Sequence, residues 1–286
     1  MLLNVMKLVD VHAHLEHPRF EGDLDEVIGR FVEAGGKLII TSGVNPETNR
    51  RVLELAGKYD CVKVSFGLYP IDALVKEAEH ERSEDRGQMT EDGGKASFLR
   101  DVKKFDVDEE LGWIEEHKDE CVAIGEVGLD YNWKEFQSEV MREKQKDVFR
   151  KVLRLAKKID KCVVVHSRKA ESDAVDILES EKIEKVVMHC FNGRKSLIRR
   201  GVENGWFFSV PPVIVRLEHF KMLVEMVPLG QLLTETDAPY LSPVVGERNE
   251  SSNVLVTLKE IARIKGLSVE EVGDSVFENF SLLFGV

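Results

Sequence analysis

Residues 148–168 read VFRKVLRLAKKIDKCVVVHSR, and the apolar pattern changes period once along them. Val148, Phe149, Val152, Leu155, Ala156 and Ile159 recur at three- and four-residue spacing, so a helix here gathers them into one stripe that needs a surface to cover it. After Asp160 the pattern becomes an unbroken run over residues 162–166, short and rich in valine, as a strand buried on both faces requires. An amphipathic helix leading into a buried strand is the repeating step of a parallel sheet, whose strands are joined by crossovers. The run stops at His166-Ser167-Arg168, three polar or ionisable residues where the strand leaves the core.

The same alternation extends through the chain. Short apolar runs fall at residues 7–12, 37–42, 62–67, 122–126, 162–166, 185–189, 206–210 and 232–234, with longer amphipathic stretches between them. Eight such strands predict an α/β fold of the (β/α)8 TIM-barrel type. Helical patterns at 255–265 and 269–283 complete the outer ring, the second opened by Ser268 and Glu271 as a capping box. A chain of 286 residues with 43% apolar content suits one barrel domain over residues 1–286. One stretch after the third strand, residues 76–104, is polar, charged and aperiodic, and reads as a surface insertion: either a disordered loop or a lid over the barrel mouth.

The formal net charge of −12 opposes general attraction to nucleic acid or anionic membrane, so an anionic substrate must be drawn by local positive charge. The apolar run at the N-terminus is too short for a signal peptide or anchor, and the four scattered cysteines, Cys61, Cys121, Cys162 and Cys190, read as core thiols of a reducing compartment. A cytoplasmic protein is expected, with no membrane association and no evident obligate protein partner.

Catalytic groups of such barrels sit at the carboxyl ends of the strands. Asp10-x-His12-x-His14 closes the first strand, Glu126 the fourth, His166 the fifth, His189 the sixth, and Glu235-Thr236-Asp237 follows the eighth. Residues i and i+2 of an extended segment share a side, so His12 and His14 can grip one ion together. Imidazoles and carboxylates gathered this densely repel or suffer costly desolvation unless a cation neutralises them. Strand-end imidazoles and carboxylates, His12, His14, Glu126, His166, His189 and Asp237 among them, are therefore candidates to hold a metal ion. The other histidines, His17, His80, His117 and His219, fall in loops or helices.

These segments, with Gly125-Glu126-Val127-Gly128-Leu129-Asp130, His189-Cys190-Phe191 and Asp237-Ala238-Pro239-Tyr240-Leu241, together resemble the TatD family of metal-dependent hydrolases, in the amidohydrolase-like barrel superfamily. The match runs in order over most of the chain. The resemblance implies two divalent ions, one on His12, His14 and Asp237 and the other on His166 and His189, with Glu126 bridging. It also implies magnesium dependence, whereas the mixed nitrogen and oxygen donors suit zinc, manganese or iron. The activity implied is a deoxyribonuclease or phosphodiesterase that attacks DNA ends with metal-activated water, and single strands are the expected substrate because a site in a barrel mouth does not easily reach phosphates within a rigid duplex. A bimetal site does not by itself select phosphorus over carbon, so an ester or amide hydrolase, aminoacyl-tRNA deacylation included, stands as the alternative, as does a metal-binding module without turnover.

Asp237, Glu126 and Tyr69 are the candidate catalytic residues: Asp237 either accepts the water's proton or serves only as a ligand. Tyr69 stands in Gly67-Leu68-Tyr69-Pro70 where many relatives place Gly-x-His-Pro, and it either donates a proton near the leaving group or packs on Pro70. Arg168, Arg248 and Asn249 are the candidate substrate contacts. Arg168 either forks onto a phosphate or pairs with Asp130 or Glu235, and Arg248-Asn249 either contacts phosphate or braces its loop. Val245 and Glu247 stand where relatives often carry Arg and Lys, which weakens the positive rim.

Overall fold

A computed structural model describes residues 6–74 and 102–286. Eight parallel strands lie side by side in chain order: β1 Leu8–Ala13, β2 Gly36–Ser42, β3 Val62–Leu68, β4 Ala123–Asp130, β5 Cys162–Arg168, β6 Val186–Met188, β7 Phe207–Val210 and β8 Leu232–Thr234. Around them run α1 Leu24–Glu33, α2 Pro46–Lys58, α3 Val107–Glu116, α4 Glu139–Lys158, α5 Glu171–Glu181, α6 Lys195–Glu203, α7 Glu218–Met226, α8 Val254–Lys265 and α9 Val269–Phe284. The chain is a TIM-type barrel, as its alternating periods predict.

The stripe on α4 buries Phe149, Val152, Leu155 and Ala156, and Ser138 caps the helix by accepting from the Met141 amide. In β5 behind it Val163, Val164 and Val165 are fully buried, each side chain stabilising the fold by roughly 1.5–3 kcal/mol on transfer from water. The Ser268–Glu271 capping box opens α9 as expected. Among the described residues no helix is long and apolar enough to cross a membrane. Cys121 and Cys162 are buried and Cys61 and Cys190 half-buried, all with free thiols. The 76–104 insertion, apart from residues 102–104, lies outside the described residues.

Two strands outrun their sequence-based limits. β4 continues past Glu126 to Asp130 and β5 past His166 to Arg168, paired through Gly128 with His166 and Asp130 with Arg168. Gly128 makes this possible: its φ is +144°, and a Cβ there would stand 2.0 Å from the His166 carbonyl oxygen. The close approach carries Asp130 alongside the end of β5.

The β8–β1 seam is closed largely by bonds outside a regular ladder. Thr234 Oγ1 donates to the Val9 carbonyl (2.6 Å), the Asp237 amide to the His12 carbonyl (2.8 Å) and the His14 amide to the Ala238 carbonyl (2.7 Å). Asp10 ties the seam, accepting from the His12 amide, the Thr236 amide and Thr236 Oγ1. Complete burial raises its pKa to about 7 against those hydrogen bonds. The Asp of the Asp-x-His-x-His motif thus fixes where the two histidines and Asp237 emerge.

Candidate metal centre

All six ligand candidates meet at the carboxyl ends of the strands. His12 lies within β1 and His14 just beyond it, Glu126 in β4, His166 in β5, His189 one residue past β6 and Asp237 three past β8. Glu126 Oε2 is 3.5 Å from Nε2 of both His12 and His14, and its Oε1 is 2.5 Å from His166 Nδ1 and 3.8 Å from His189 Nε2. Asp237 Oδ1 stands 3.5 and 3.4 Å from Nε2 of His12 and His14. Donor atoms of three overlapping trios, His12–His14–Glu126, His12–His189–Asp237 and Glu126–His166–His189, lie within 4.8 Å of one another.

Each histidine is held from behind by its outer nitrogen. His12 Nδ1 sits 3.1 Å from Ser42 Oγ, and His14 Nδ1 3.1 Å from the Ser42 carbonyl. His189 Nδ1 lies 2.6 Å from Glu235 Oε2, a carboxylate that also accepts from Ser209 Oγ and the Cys190 amide. His166 Nε2 lies 3.2 Å from Asp130 Oδ2. An acceptor behind one nitrogen puts the ring proton there and leaves the other lone pair facing inward, the usual second partner of a metal-ligating histidine. The inward nitrogens of His12 and His14 are then only 3.2 Å apart, so their lone pairs repel unless positive charge lies beside them. The donor set fits divalent ions on that ground.

The electrostatics agree. Burial disfavours charge on the rings, yet hydrogen bonds to Asp237 and Glu126 raise His12 to about 9 and, with Glu16, carry His14 well above its ordinary value. Burial is likewise overcome at His166, where the Glu126 charge and the Asp130 hydrogen bond raise the pKa to about 10. Burial would raise the carboxylates too, but the facing histidines hold Glu126 and Asp237 well below their ordinary range. A divalent ion held by these groups would take the place of protons between nitrogen and oxygen.

The remaining candidates separate. Arg168 is exposed at the end of β5, and the two carboxylates considered as its partners are engaged elsewhere, Asp130 with His166 and Tyr69, Glu235 with His189 and Ser209. Arg248 and Asn249 both make loop-bracing contacts. Arg248 forks onto Asp23, donates to the Arg19 carbonyl and lies over the Phe20 ring, while Asn249 is fully buried and donates to the Thr236 carbonyl. Arg248→Ala is accordingly expected to lower the melting temperature while leaving KM within about twofold, which a thermal melt and steady-state kinetics check together. Tyr69 donates its hydroxyl to Asp130 Oδ2 at 2.7 Å, away from the role of a free proton donor. His17 and His117 make local cap contacts and His219 approaches the Phe191 carbonyl, while His80 lies outside the described residues.

Ser42, Ser209 and the backing roles of Asp130 and Glu235 escape the sequence reading. Ser42 ends β2, so the strand-end rule that finds the histidines would also have flagged it.

A parallel eight-stranded barrel with four histidines and two carboxylates converging at its carboxyl mouth defines a class, the metal-dependent hydrolase barrels. The chain belongs to the TatD family: the sequence model of the TatD related DNase family matches residues 9–285. Human deoxyribonuclease TATDN3 is 34% identical over 278 residues, covering 97% of this chain and 94% of that protein. The metal-dependent hydrolase YabD of Bacillus subtilis (strain 168) is 32% identical over 287 residues, covering 98% and 99%. Among solved structures, the TatD homologue YJJV from Escherichia coli K12 superposes with a TM-score of 0.81 at 25% identity, over 98% of each chain.

Proposed function

We propose that this hydrolase cleaves phosphodiester bonds at the ends of DNA single strands, using two divalent ions held by His12, His14, Glu126, His166, His189 and Asp237. The observation that carries it is the arrangement of the four histidines, each backed at its outer nitrogen while its inner nitrogen faces Glu126 or Asp237. The relatives named deoxyribonucleases support the choice of substrate. When bound, divalent ions there would lower the pKa of water and neutralise charge on the phosphoryl oxygens.

The protein's own groups do the rest. Glu126, with one oxygen toward the β1 histidines and the other toward His166, spaces the two halves of the site. Asp237, less buried than Glu126, accepts the proton of the attacking water. Arg168 orients the substrate by a forked contact to a phosphate at the mouth, which the charge of the whole chain does not provide.

The test combines metal removal with a choice of substrates. Chelation verified by elemental analysis is expected to lower hydrolysis of end-labelled single strands at least ~100-fold, with recovery on adding manganese, magnesium or zinc. Linear strands should shorten from an end while covalently closed duplex circles resist. Full activity after verified removal refutes the metal role, and preferred turnover of a carboxylester replaces the phosphodiesterase reading with an esterase.

A further inference from the structure

Tyr69, Asp130 and His166 stand at the ends of three consecutive strands, and their side chains form one chain of contacts. The Tyr69 hydroxyl donates to Asp130 Oδ2 (2.7 Å), the same oxygen lies 3.2 Å from His166 Nε2, and His166 Nδ1 lies 2.5 Å from Glu126 Oε1. The Tyr69 ring meets the His166 ring edge to face, with centroids 5.0 Å apart. Asp130 is fully buried and fixed on every side. Its Oδ1 accepts from the Asn132 amide at 2.8 Å, its own amide donates to Gln145 Oε1 at 2.8 Å, and Gln145 Nε2 donates to its carbonyl at 3.0 Å.

From this geometry we infer that Tyr69 and Asp130 are positioning residues for the ion on the His166 side: they hold the His166 proton on Nε2 and aim the Nδ1 lone pair at the site. The inference rests on the metal reading above and deepens it. A carboxylate has only acceptors to offer, and Asp130 meets three donors: the Tyr69 hydroxyl, the Asn132 amide and the His166 N–H. That fixes the tautomer. It also commits the Tyr69 proton, so the tyrosine works through His166 and does not protonate the leaving oxygen.

No orientation of an amide can replace Asp130. With its oxygen toward His166 and Tyr69, its NH2 opposes the Asn132 N–H. Flipped, the NH2 confronts the other two donors and draws the His166 proton onto Nδ1, where the ion belongs. Asp130→Asn is therefore expected to weaken one of the two ions by about 10–100-fold and spare the other, the range found when the outer partner of a ligating histidine is lost. Tyr69→Phe should weaken the same ion by less, about 3–10-fold, and Tyr69→His, which can still donate to Asp130, should restore it. Combined with Asp130→Asn, Tyr69→Phe should add nothing, because both act through one contact path.

Zinc titrated into full-length protein against a chromophoric chelator reads both affinities without any substrate. Selective weakening of one ion in Asp130→Asn and Tyr69→Phe, with rescue in Tyr69→His, bears out the inference. Two ions bound as in the parent by either folded variant overturn it, and Tyr69→Phe decides alone if Asp130→Asn does not fold. A parent that binds fewer than two ions overturns the metal reading and this inference with it, a result distinct from parent-like variants.

Discussion

Asp237→Asn is expected to lower kcat by about 10³–10⁵-fold in a protein that remains folded, with KM changed far less. The backbone at Asp237 has φ +55°, a left-handed conformation that Asn tolerates as well as Asp, so the substitution adds no strain. The bond from the Asp237 amide to the His12 carbonyl belongs to the main chain and survives. What disappears is charge and basicity. Hydrogen bonds from His12 and His14 overcome the opposing effect of burial and keep the parent carboxylate ionised at neutral pH, whereas an amide cannot take a proton from water there. The loss of a proton acceptor is worth about 10²–10⁴-fold, and a weaker ligand adds to it. Circular dichroism, metal content and kcat on one preparation check the claim. A folded, metal-replete variant turning over at the parent rate would leave Asp237 neither role.

The ligand candidates were legible because the strands end abruptly: four of the eight apolar runs stop at His12, Glu126, His166 and His189, and barrel geometry brings strand ends together. Which group backs which histidine was not, because each partner lies far away in sequence and depends on register. Ser42 stands thirty residues from His12, and Glu235 forty-six from His189. Asp130 was hidden for a further reason. The glycines of Gly125-Glu126-Val127-Gly128 break the apolar run, so β4 reads as ending at Glu126, although Gly128 is what lets it continue beside β5. Arg248 shows the opposite case. An Arg-Asn pair in a loop after the last strand looks like a substrate contact, and its commitment to Asp23, 225 residues away, is invisible until the fold is formed. Tyr69 read as a stand-in for a proton-donating histidine because its neighbour Asp130 was not yet in place.

Glu126→Gln should remove turnover as completely as any single change, by about 10³–10⁵-fold, and its signature is metal stoichiometry. Glu126 is the candidate carboxylate whose two oxygens face opposite halves of the site: Oε2 lies 3.5 Å from Nε2 of His12 and of His14, while Oε1 lies 2.5 Å from His166 Nδ1. An amide has one oxygen for these two sides. Its NH2 must face either the β1 histidines or His166, where it meets an inward lone pair and competes with the ion. One ion is therefore expected to be lost, so bound metal should fall from two per chain to one at most, whereas Asp237→Asn retains the shared carboxylate and should keep more. The volume barely changes, and Glu126 is buried with its amide donating to the Gly43 carbonyl, so the barrel itself should survive. Elemental analysis after equilibrium dialysis, beside a thermal melt, separates loss of metal from loss of fold. Two ions retained at parent affinity in a folded Glu126→Gln protein would show that the two halves of the centre are held independently and that Glu126 does not join them.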